Sequence, residues 1–556
     1  MNLSKPDTRR TEFYTWLLLI VAMAFITAVR IRFLDFPMER DEGEYAYIAR
    51  LILERLEPYK YAYTMKLPGT ALIYAFFMSI FGQTVRGIHI GLLITNLATI
   101  VVIYMLIKHV YNATTGVVSA MSYGFFTLSY SFLGFSFHAT QLIVLFCTLG
   151  LYFLMIALRK QTSTFYAIAG FFLGCGFLMK QHGIYFLFFA VCYFLYHNRL
   201  NSPQTPVILY IKQNAKYEFS KLCYLLAAFF IPLILVVMWV YSMGDFQKFF
   251  YWTFVYANKY VSSETISSSV PRIKVSLRAV FKGFHLLWIL ALLGFILQFF
   301  IKLPAVKKVF TNLLFFFTVF AVSAGLYFRP HYFIMMLPAV VIFIGIAVQR
   351  LNEFLTEKFK LPNVAFIIFL IIVATGFWAD RNYFFKLPLP LICNTIYKNN
   401  PFNEAPQIAE LITAHTGKDD RIAVFGSEPE ILFLSDRLSV TGYIYTYGLM
   451  EIHDGNMIMQ MELISEIMAN PPKLIVYCHV YKSWTPRKNS PQYIFQWFDK
   501  NIYSRYEKIA VIDYVENGKY SYIQGNDAKE YSPVSEDYIE ILKQKDGINK
   551  NFIWLM

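Results

Sequence analysis

Long apolar runs dominate this sequence and restrict the folds open to it. A helix needs about 20 apolar residues to cross the hydrocarbon core of a bilayer, and about eleven segments reach or approach that length. They lie near residues 13–32, 84–107, 114–133, 137–158, 164–179, 183–197, 222–242, 283–301, 309–328, 331–349 and 363–379. The chain is 57% hydrophobic and only 15% charged, which is too apolar for a water-soluble protein of this size. The sequence therefore predicts a polytopic α-helical membrane protein with about eleven transmembrane helices.

Two neighbouring segments, 164–179 and 183–197, are short for transmembrane helices. The residues KQHG, 180–183, separate them. If these four residues form a turn, the two halves are separate spans. If they do not, the halves are parts of one broken helix.

Basic residues collect in alternate loops between the predicted spans. One set of loops holds Lys5, Arg9, Arg10, Lys108, Arg159, Lys160, Arg199, Lys212, Lys216, Lys221, Lys302, Lys307, Lys308, Arg350, Lys358 and Lys360. Cytoplasmic loops carry such an excess, so we expect a plasma (inner) membrane protein with a cytoplasmic N-terminus. The loops 33–83 and 243–282, and everything after about residue 380, are then extracytoplasmic. The net charge of +14 follows from this bias, and we expect no nucleic-acid partner.

After about residue 380 the sequence changes character. Short apolar runs that are typical of buried strands alternate with helical patterns; the strands are RIAVFG (421–426), KLIVYC (473–478) and KIAVID (508–513), and the helices are 404–416 and 449–469. We therefore predict a transmembrane domain, residues 1–380, and a soluble extracytoplasmic α/β domain, residues 381–556. Cys393 and Cys478 of the tail could pair in an oxidising compartment, although their wide spacing is a weak signal.

The segment MERDEGEYAYIAR, residues 38–50, follows the first predicted span and is strongly acidic. Its carboxylates are Glu39, Asp41, Glu42 and Glu44. Apolar residues then recur at helical spacing, so we predict an amphipathic helix that begins near Asp41 and lies on the outer membrane surface. Asp41 either caps this helix in a box with Glu44 or is a functional carboxylate.

A second segment, TMKLPGTALIYAFF (64–77), has Lys66 just before another apolar helix. Pro68 suits the first turn of that helix. Because the amides and dipole of a helix start attract anions, Lys66 is suited to a phosphate. The alternative is an interfacial lysine that snorkels to the membrane surface.

Cationic and imidazole side chains recur at the predicted outer ends of several spans. They are Arg86, His89, His138, Lys180, His182, Arg329 and His331. Charged groups at membrane depth are costly and usually mark a functional path. Each residue alone fits a membrane anchor, but the whole set favours a site for a lipid-linked phosphate.

These motifs resemble those of the GT-C superfamily of membrane glycosyltransferases, in particular the bacterial group similar to protein O-mannosyltransferases and the lipid A aminoarabinose transferase. The resemblance covers roughly residues 10–380 by topology. Its motifs are DEGEYAYIAR (41–50), KLPG (66–69), Arg86, MKQHG (179–183) and RPHYF (329–333). The acidic pair after the first span, Asp41 and Glu42, is the most specific of them.

The resemblance implies inverting transfer of a sugar from a polyprenyl-phosphate carrier to a hydroxyl of a protein, lipid or glycan at the outer face of the membrane. By that analogy Asp41 is the catalytic base, and Glu42 orients the acceptor or holds the helix. Lys66 would stabilise the leaving phosphate. The other residues expected to bind substrate are Arg86, Lys180, His182, Arg329, His331 and Tyr332.

One departure from the family pattern bears on metal binding. In the aminoarabinose transferase group an acid precedes the lysine that matches Lys66, whereas here that position is Met65. We therefore expect catalysis without a metal or other cofactor, in which cations of the protein accommodate the phosphate.

Two other functions use lipid-linked sugars. A transporter or flippase would place ionisable residues near the middle of the bilayer, where the predicted spans are nearly free of charge. A glycan polymerase or ligase would share the carrier and the outer-face site, and the sequence separates it poorly from a transferase of single sugars.

Overall fold

A computed structural model describes residues 8–200, 207–262, 264–516 and 519–546. Helices account for almost all of the structure up to residue 380. They are α1 Thr8–Arg32, α2 Arg40–Leu53, α3 Pro58–Tyr61, α4 Gly69–Phe81, α5 Val85–Val110, α6 Ala113–Phe126, α7 Ala139–Lys160, α8 Ser163–Met179, α9 Ile184–Leu200, α10 Val207–Ser242, α11 Phe246–Phe250, α12 Ala257–Ser262, α13 Ile266–Lys282, α14 His285–Phe300, α15 Ala305–Ser323, α16 Leu337–Phe359 and α17 Val364–Ala379. Short 3-10 segments lie at Tyr130–Phe132, Gln181–Gly183 and Pro330–Met336, and π-helical turns at Tyr251–Tyr256 and Asn382–Lys386.

All the predicted apolar segments contain a helix, so the multi-pass membrane architecture is confirmed. Six of the described helices are long and apolar enough to cross a membrane, and the pair Ile266–Lys282 and His285–Phe300, bent by 101°, would make a seventh. The predicted number of eleven stays a prediction. Residues 180–183 form a turn, since Lys180 is extended and Gln181–Gly183 is a single 3-10 turn, and α8 and α9 are therefore separate helices.

Glycines let α8 and α10 approach each other closely. A Cβ atom at Gly170 or Gly174 would lie 2.0 or 2.1 Å from the carbonyl oxygens of Leu225 and Phe229. Small residues at such contacts are typical of membrane helices, which associate by close packing of their backbones. The other face of α10 exposes apolar side chains, as expected of a helix in contact with lipid; they include Ile231, Ile234, Leu235 and Met238.

The tail forms an α/β domain, as predicted. Its helices are α18 Leu389–Tyr397, α19 Ala405–His415, α20 Pro429–Ser435, α21 Tyr447–Met450, α22 Asn456–Ala469, α23 Tyr481–Trp484, α24 Tyr493–Asn501 and α25 Asn526–Glu530. Its strands are β1 Ile422–Phe425, β2 Leu474–Cys478, β3 Tyr506–Glu516, β4 Lys519–Gln524 and β5 Tyr538–Gln544, in the sheet order β1-β2-β5-β3-β4. The β1–β2 pair is parallel and the other pairs are antiparallel.

The three predicted strands are confirmed, and β4 and β5 are additional. The predicted helix 404–416 is α19, whereas the prediction for 449–469 is wrong in one respect: α21 and α22 are separate helices. Gly455 precedes α22 and breaks the helical run. Cys393 and Cys478 are both buried and are not joined by a disulfide.

The segments predicted to share one side of the membrane contact one another. The Tyr63 amide donates to the Gly442 carbonyl at 2.6 Å. Lys248 pairs with Glu462 at 2.7 Å, and other ion pairs join α12 and the start of α13 to the C-terminal domain. A continuous apolar core links the domain to the membrane helices. Which face of the membrane this side occupies stays a prediction.

Candidate active site

Helix α2 begins with a capping box that differs from the predicted one. The Glu39 carboxylate accepts from the Glu42 amide at 3.0 Å, and the Glu39 amide donates to the Glu42 carboxylate at 3.4 Å. The alternative in which Asp41 caps the helix in a box with Glu44 is therefore wrong by two residues. Because the side chains of Glu39 and Glu42 accept the hydrogen bonds of backbone amides at the helix start, the carboxylates of Asp41 and Glu44 are available for other contacts.

The amphipathic pattern predicted that α2 lies on the outer membrane surface, and this prediction is wrong. Residues 42–51 are all buried. The C-terminal domain covers the face that carries Arg40, Gly43 and Arg50, and the membrane helices pack against Glu42 and Tyr45. A Cβ at Gly43 would lie 2.4 Å from the Glu430 amide nitrogen. Arg40 pairs with Glu428 at 2.8 Å. The charged residues along this face contact the domain, so α2 is held between the two parts of the molecule.

Asp41, Glu44 and Lys66 form a buried charge network. The Lys66 Nζ lies 2.8 Å from Asp41 Oδ1 and 2.5 Å from Glu44 Oε2. Its ammonium also lies 4.3 Å from the ring centre of Tyr45, a favourable cation–π contact. Thr64 donates to the second oxygen of Glu44. The side chain of Asp41 is 26% exposed and faces the cavity described below.

The network keeps Asp41 ionised. Burial disfavours its charged form, but the Lys66 ammonium and the nearby His331 and Arg329 hold the pKa of Asp41 well below its ordinary value. Burial likewise opposes the charge of Lys66, yet Asp41 and Glu44 raise the pKa of this ammonium well above its ordinary value. The pair is therefore a carboxylate and an ammonium at neutral pH.

Two imidazoles adjoin Asp41. The rings of His138 and His331 stack with their centres 3.9 Å apart, and His138 Nδ1 lies 3.9 Å from Asp41 Oδ2. Asp41, His138 and His331 offer one ligand atom each within 4.8 Å of one another. Oxygen and imidazole donors at this spacing fit a divalent ion, and the prediction of metal-free catalysis stays a prediction.

Two cations lie on the other side of the cavity, away from the acidic run. The Lys180 Nζ lies 4.1 Å from the ring centre of Tyr332, and the exposed Arg329 guanidinium lies 6.0 Å from that of Tyr327. Neither pairs with a carboxylate among the residues that the structure describes. Unpaired cations in a partly dry cavity favour the binding of an anion.

These groups surround one cavity of about 1200 Å³ between the membrane helices and the C-terminal domain. The predicted site residues that line it are Asp41, Lys66, Lys180, His182, Arg329, His331 and Tyr332. They come from four separate stretches of the chain. The structure thus gathers most of the predicted site into a single cavity.

Glu42 and Arg86 do not line the cavity. The fully buried Glu42 accepts from the Phe137 amide at 2.6 Å and contacts His89 Nε2 at 3.1 Å. Of the two roles proposed for Glu42, its position fits holding the helix. Arg86 is exposed and pairs with Asp35 at 2.5 Å, so the structure does not bring it to the other predicted site residues.

Several cavity residues were not predicted. Glu44 could have been found, because residues three apart share a helix face and Asp41 and Glu44 have that spacing. Tyr445 of the C-terminal domain donates to Asp41 at 3.0 Å, but no local pattern connects residues so far apart in the chain.

Comparisons with known proteins agree with this architecture. The family model described as dolichyl-phosphate-mannose-protein mannosyltransferase matches residues 65–213. No curated protein gives a significant match. The solved structures include the archaeal oligosaccharyltransferase AglB from Archaeoglobus fulgidus, in complex with an inhibitory peptide and a dolichol-phosphate. It has a TM-score of 0.55 at 11% identity, over 92% of this chain and 74% of that chain.

Two further solved structures are similar. ArnT from Cupriavidus metallidurans, bound to undecaprenyl phosphate, has a TM-score of 0.51 at 12% identity, over 83% of this chain and 93% of that chain. The arabinofuranosyltransferase AftD from Mycobacteria has a TM-score of 0.50 at 11% identity, over 96% of this chain and 40% of that chain. The chain therefore has the GT-C fold, and the predicted resemblance to this superfamily is confirmed at the level of the fold.

Proposed function

We propose that the chain is an inverting glycosyltransferase that moves a sugar from a polyprenyl-phosphate carrier to an acceptor hydroxyl at the outer face of the plasma (inner) membrane. One observation carries the proposal: the carboxylate of Asp41 and the ammonium of Lys66 lie 2.8 Å apart in a cavity that also contains Lys180 and Arg329, which pair with no carboxylate in the described parts of the chain. The cavity thus combines a proton acceptor with groups that bind an anion.

The chemistry needs both kinds of group. Asp41 takes the proton of the acceptor hydroxyl while its oxygen attacks the anomeric carbon. The bond from that carbon to the phosphate oxygen breaks, and polyprenyl phosphate leaves with the electron pair. Attack opposite the leaving group inverts the anomeric centre.

Lys66 can serve both steps. An ammonium has three N–H donors, of which Asp41 and Glu44 occupy two. The third faces the Tyr45 hydroxyl, which an oxygen of the bound phosphate would replace. Lys180 and Arg329 would stabilise the charge that develops on the leaving group, since preorganised cations are most effective in a site with little water.

The size and contents of the cavity suit two reactants. Pockets for one small ligand typically measure about 300–1000 Å³, and this cavity of about 1200 Å³ exceeds that range. AglB and ArnT were solved with dolichol-phosphate and undecaprenyl phosphate, which supports a lipid phosphate as the donor. The acceptor would be a protein, a lipid or a glycan.

We propose that transfer needs no metal, because Lys66 already neutralises Asp41 and the free cations can accommodate the phosphate. Dialysis against EDTA should leave the rate unchanged. If EDTA abolished transfer and a divalent ion restored it, the set of Asp41, His138 and His331 would instead be a metal site.

The transporter or flippase is less favoured, because the charged cavity lies against the C-terminal domain and not at the middle of the membrane helices.

The test of the proposed function uses the purified protein in liposomes with a short-chain prenyl-phosphate sugar and extracted envelope acceptors. We expect free prenyl phosphate and a mass increase of one acceptor class by one sugar. Movement of intact donor across the membrane without its cleavage would contradict the proposal, and addition of whole oligosaccharides would indicate a ligase.

A further inference from the structure

The C-terminal domain contributes a row of tyrosines to the cavity. Residues 442–448 read GYIYTYG, and Tyr443, Tyr445 and Tyr447 all line the cavity. The residues between them, Ile444 and Thr446, are buried. Tyr443 is also buried, against Tyr63 and Trp252, whereas Tyr445 and Tyr447 are partly exposed to the cavity.

The segment is firmly held. The Thr446 amide donates to Ser427 Oγ at 2.9 Å, and its hydroxyl donates to the Ser483 carbonyl at 3.0 Å. At the other end, the Gly442 carbonyl accepts from the Tyr63 amide, and a Cβ at Gly442 would lie 2.5 Å from the Tyr63 ring. The tyrosines are therefore presented from a fixed backbone.

Tyr445 and Lys66 donate hydrogen bonds to the same oxygen of Asp41. The Tyr445 hydroxyl donates to Asp41 Oδ1 at 3.0 Å, the same oxygen that accepts from Lys66 at 2.8 Å. The other oxygen, Oδ2, lies 3.9 Å from His138, which is beyond hydrogen-bond distance. Two donors thus fix the carboxylate by Oδ1 and leave Oδ2 for an incoming hydroxyl.

The residue before Asp41 is held by the same segment. The Tyr447 hydroxyl accepts from Arg40 at 2.8 Å and donates to the Lys482 carbonyl at 3.1 Å. Arg40 also pairs with the buried Glu428. The C-terminal domain therefore fixes the first turn of α2 at two successive residues.

We propose that Tyr445 is a positioning residue for sugar transfer: it holds the Asp41 carboxylate so that Oδ2 faces the acceptor. This inference rests on the proposed function. It makes the C-terminal domain part of the active site, not only a neighbouring module. Small displacements of a catalytic group reduce rates strongly. Loss of the Tyr445 hydroxyl should therefore lower kcat more than it changes KM.

The experiment compares Tyr445→Phe with wild type in the full-length protein. We expect kcat to fall about 10- to 100-fold, as for a lost hydrogen bond to a charged group, with the donor KM within about twofold. The control is Tyr514→Phe, since the Tyr514 hydroxyl donates to the Glu404 carboxylate at 3.1 Å in the same domain but does not line the cavity. That variant should keep the wild-type kcat.

Further variants separate positioning from stability. Tyr445→His, which keeps a ring donor, should recover part of kcat, and melting temperatures are measured for each variant. In an Asp41→Asn background, Tyr445→Phe should cause no further loss, because residues that act through one group are not additive. A wild-type kcat in Tyr445→Phe, or a raised KM with unchanged kcat, would overturn the inference. Normal transfer by Asp41→Asn would instead overturn the proposed function itself.

Discussion

The two sides of the cavity treat charge in opposite ways. On the side formed by α2 and the segment before α4, Lys66 bridges Asp41 and Glu44. On the side formed by the ends of the membrane helices, Lys180 and Arg329 lie over aromatic rings and have no carboxylate partner among the described residues. This difference fits the proposed roles, in which the first side supplies the base and the second side binds the phosphate.

Apart from the loss of Asp41 itself, the largest effect is expected at Lys66 on the first side. Lys66→Met leaves Asp41 and Glu44 without their shared cation, so transfer should fall roughly 10²- to 10³-fold. The pKa of Asp41, now held low by Lys66 first among its neighbouring charges, should rise, and the acid limb of the pH–rate profile should move to higher pH. Steady-state rates between pH 4 and 8, a range chosen around the carboxyl and imidazole pKa values, measure both effects.

The matched variant is Lys66→Arg, which keeps the charge and should retain part of the activity. An unchanged rate in Lys66→Met would mean that the lysine is only a membrane anchor. The proposed difference in role between the two sides of the cavity would then be wrong.

A smaller effect is expected on the anion side. Arg329→Gln removes a guanidinium that pairs with none of the carboxylates that the structure describes, so the donor KM should rise about 10- to 100-fold, as for one charge-assisted contact to phosphate. Arg86→Gln is the control, because Arg86 pairs with Asp35 outside the cavity. Equal donor KM values for the two variants would show that the unpaired cations do not bind the phosphate.

The smallest effect on catalysis is expected at Glu42. Glu42→Gln weakens the capping box and the contacts with His89 and Phe137, so unfolding should become easier by about 1–3 kcal/mol. Glu57→Gln, in an exposed pair with Lys60, should change stability by less than about 0.5 kcal/mol. Thermal unfolding in detergent tests the difference, and kcat of the folded fraction should stay within about threefold of wild type. A selective loss of kcat would give Glu42 the catalytic role instead.

Much of the site was predictable because its charges follow the predicted spans. The acidic run and Lys66 each adjoin an apolar segment, and Lys180 and Arg329 lie at span ends, so topology alone brings them to one side. Arg86 also lies at the end of a predicted span, but its guanidinium pairs with Asp35. Nothing in its surrounding sequence distinguishes a paired arginine from an unpaired one.

The remaining parts depend on contacts between distant segments. Tyr445 contacts a residue 404 positions earlier in the chain, and the burial of α2 depends on a domain that the amphipathic pattern does not reveal. The capping box was misplaced because four acids within six residues allow more than one pairing. Strands β1 and β2 were predictable because their sequences are continuously apolar, which agrees with their complete burial. The more exposed β4 has no such apolar run.

Substitution of Asp41 by Asn tests the central claim most directly, since it keeps the size of the side chain and removes the base. Binding of a prenyl-phosphate sugar and its transfer are measured on the same purified protein. We predict that the donor binds at least as tightly as to wild type, because a negative charge has left the cavity, while transfer falls about 10²- to 10⁴-fold. Transfer at the wild-type rate by the folded variant would contradict the account.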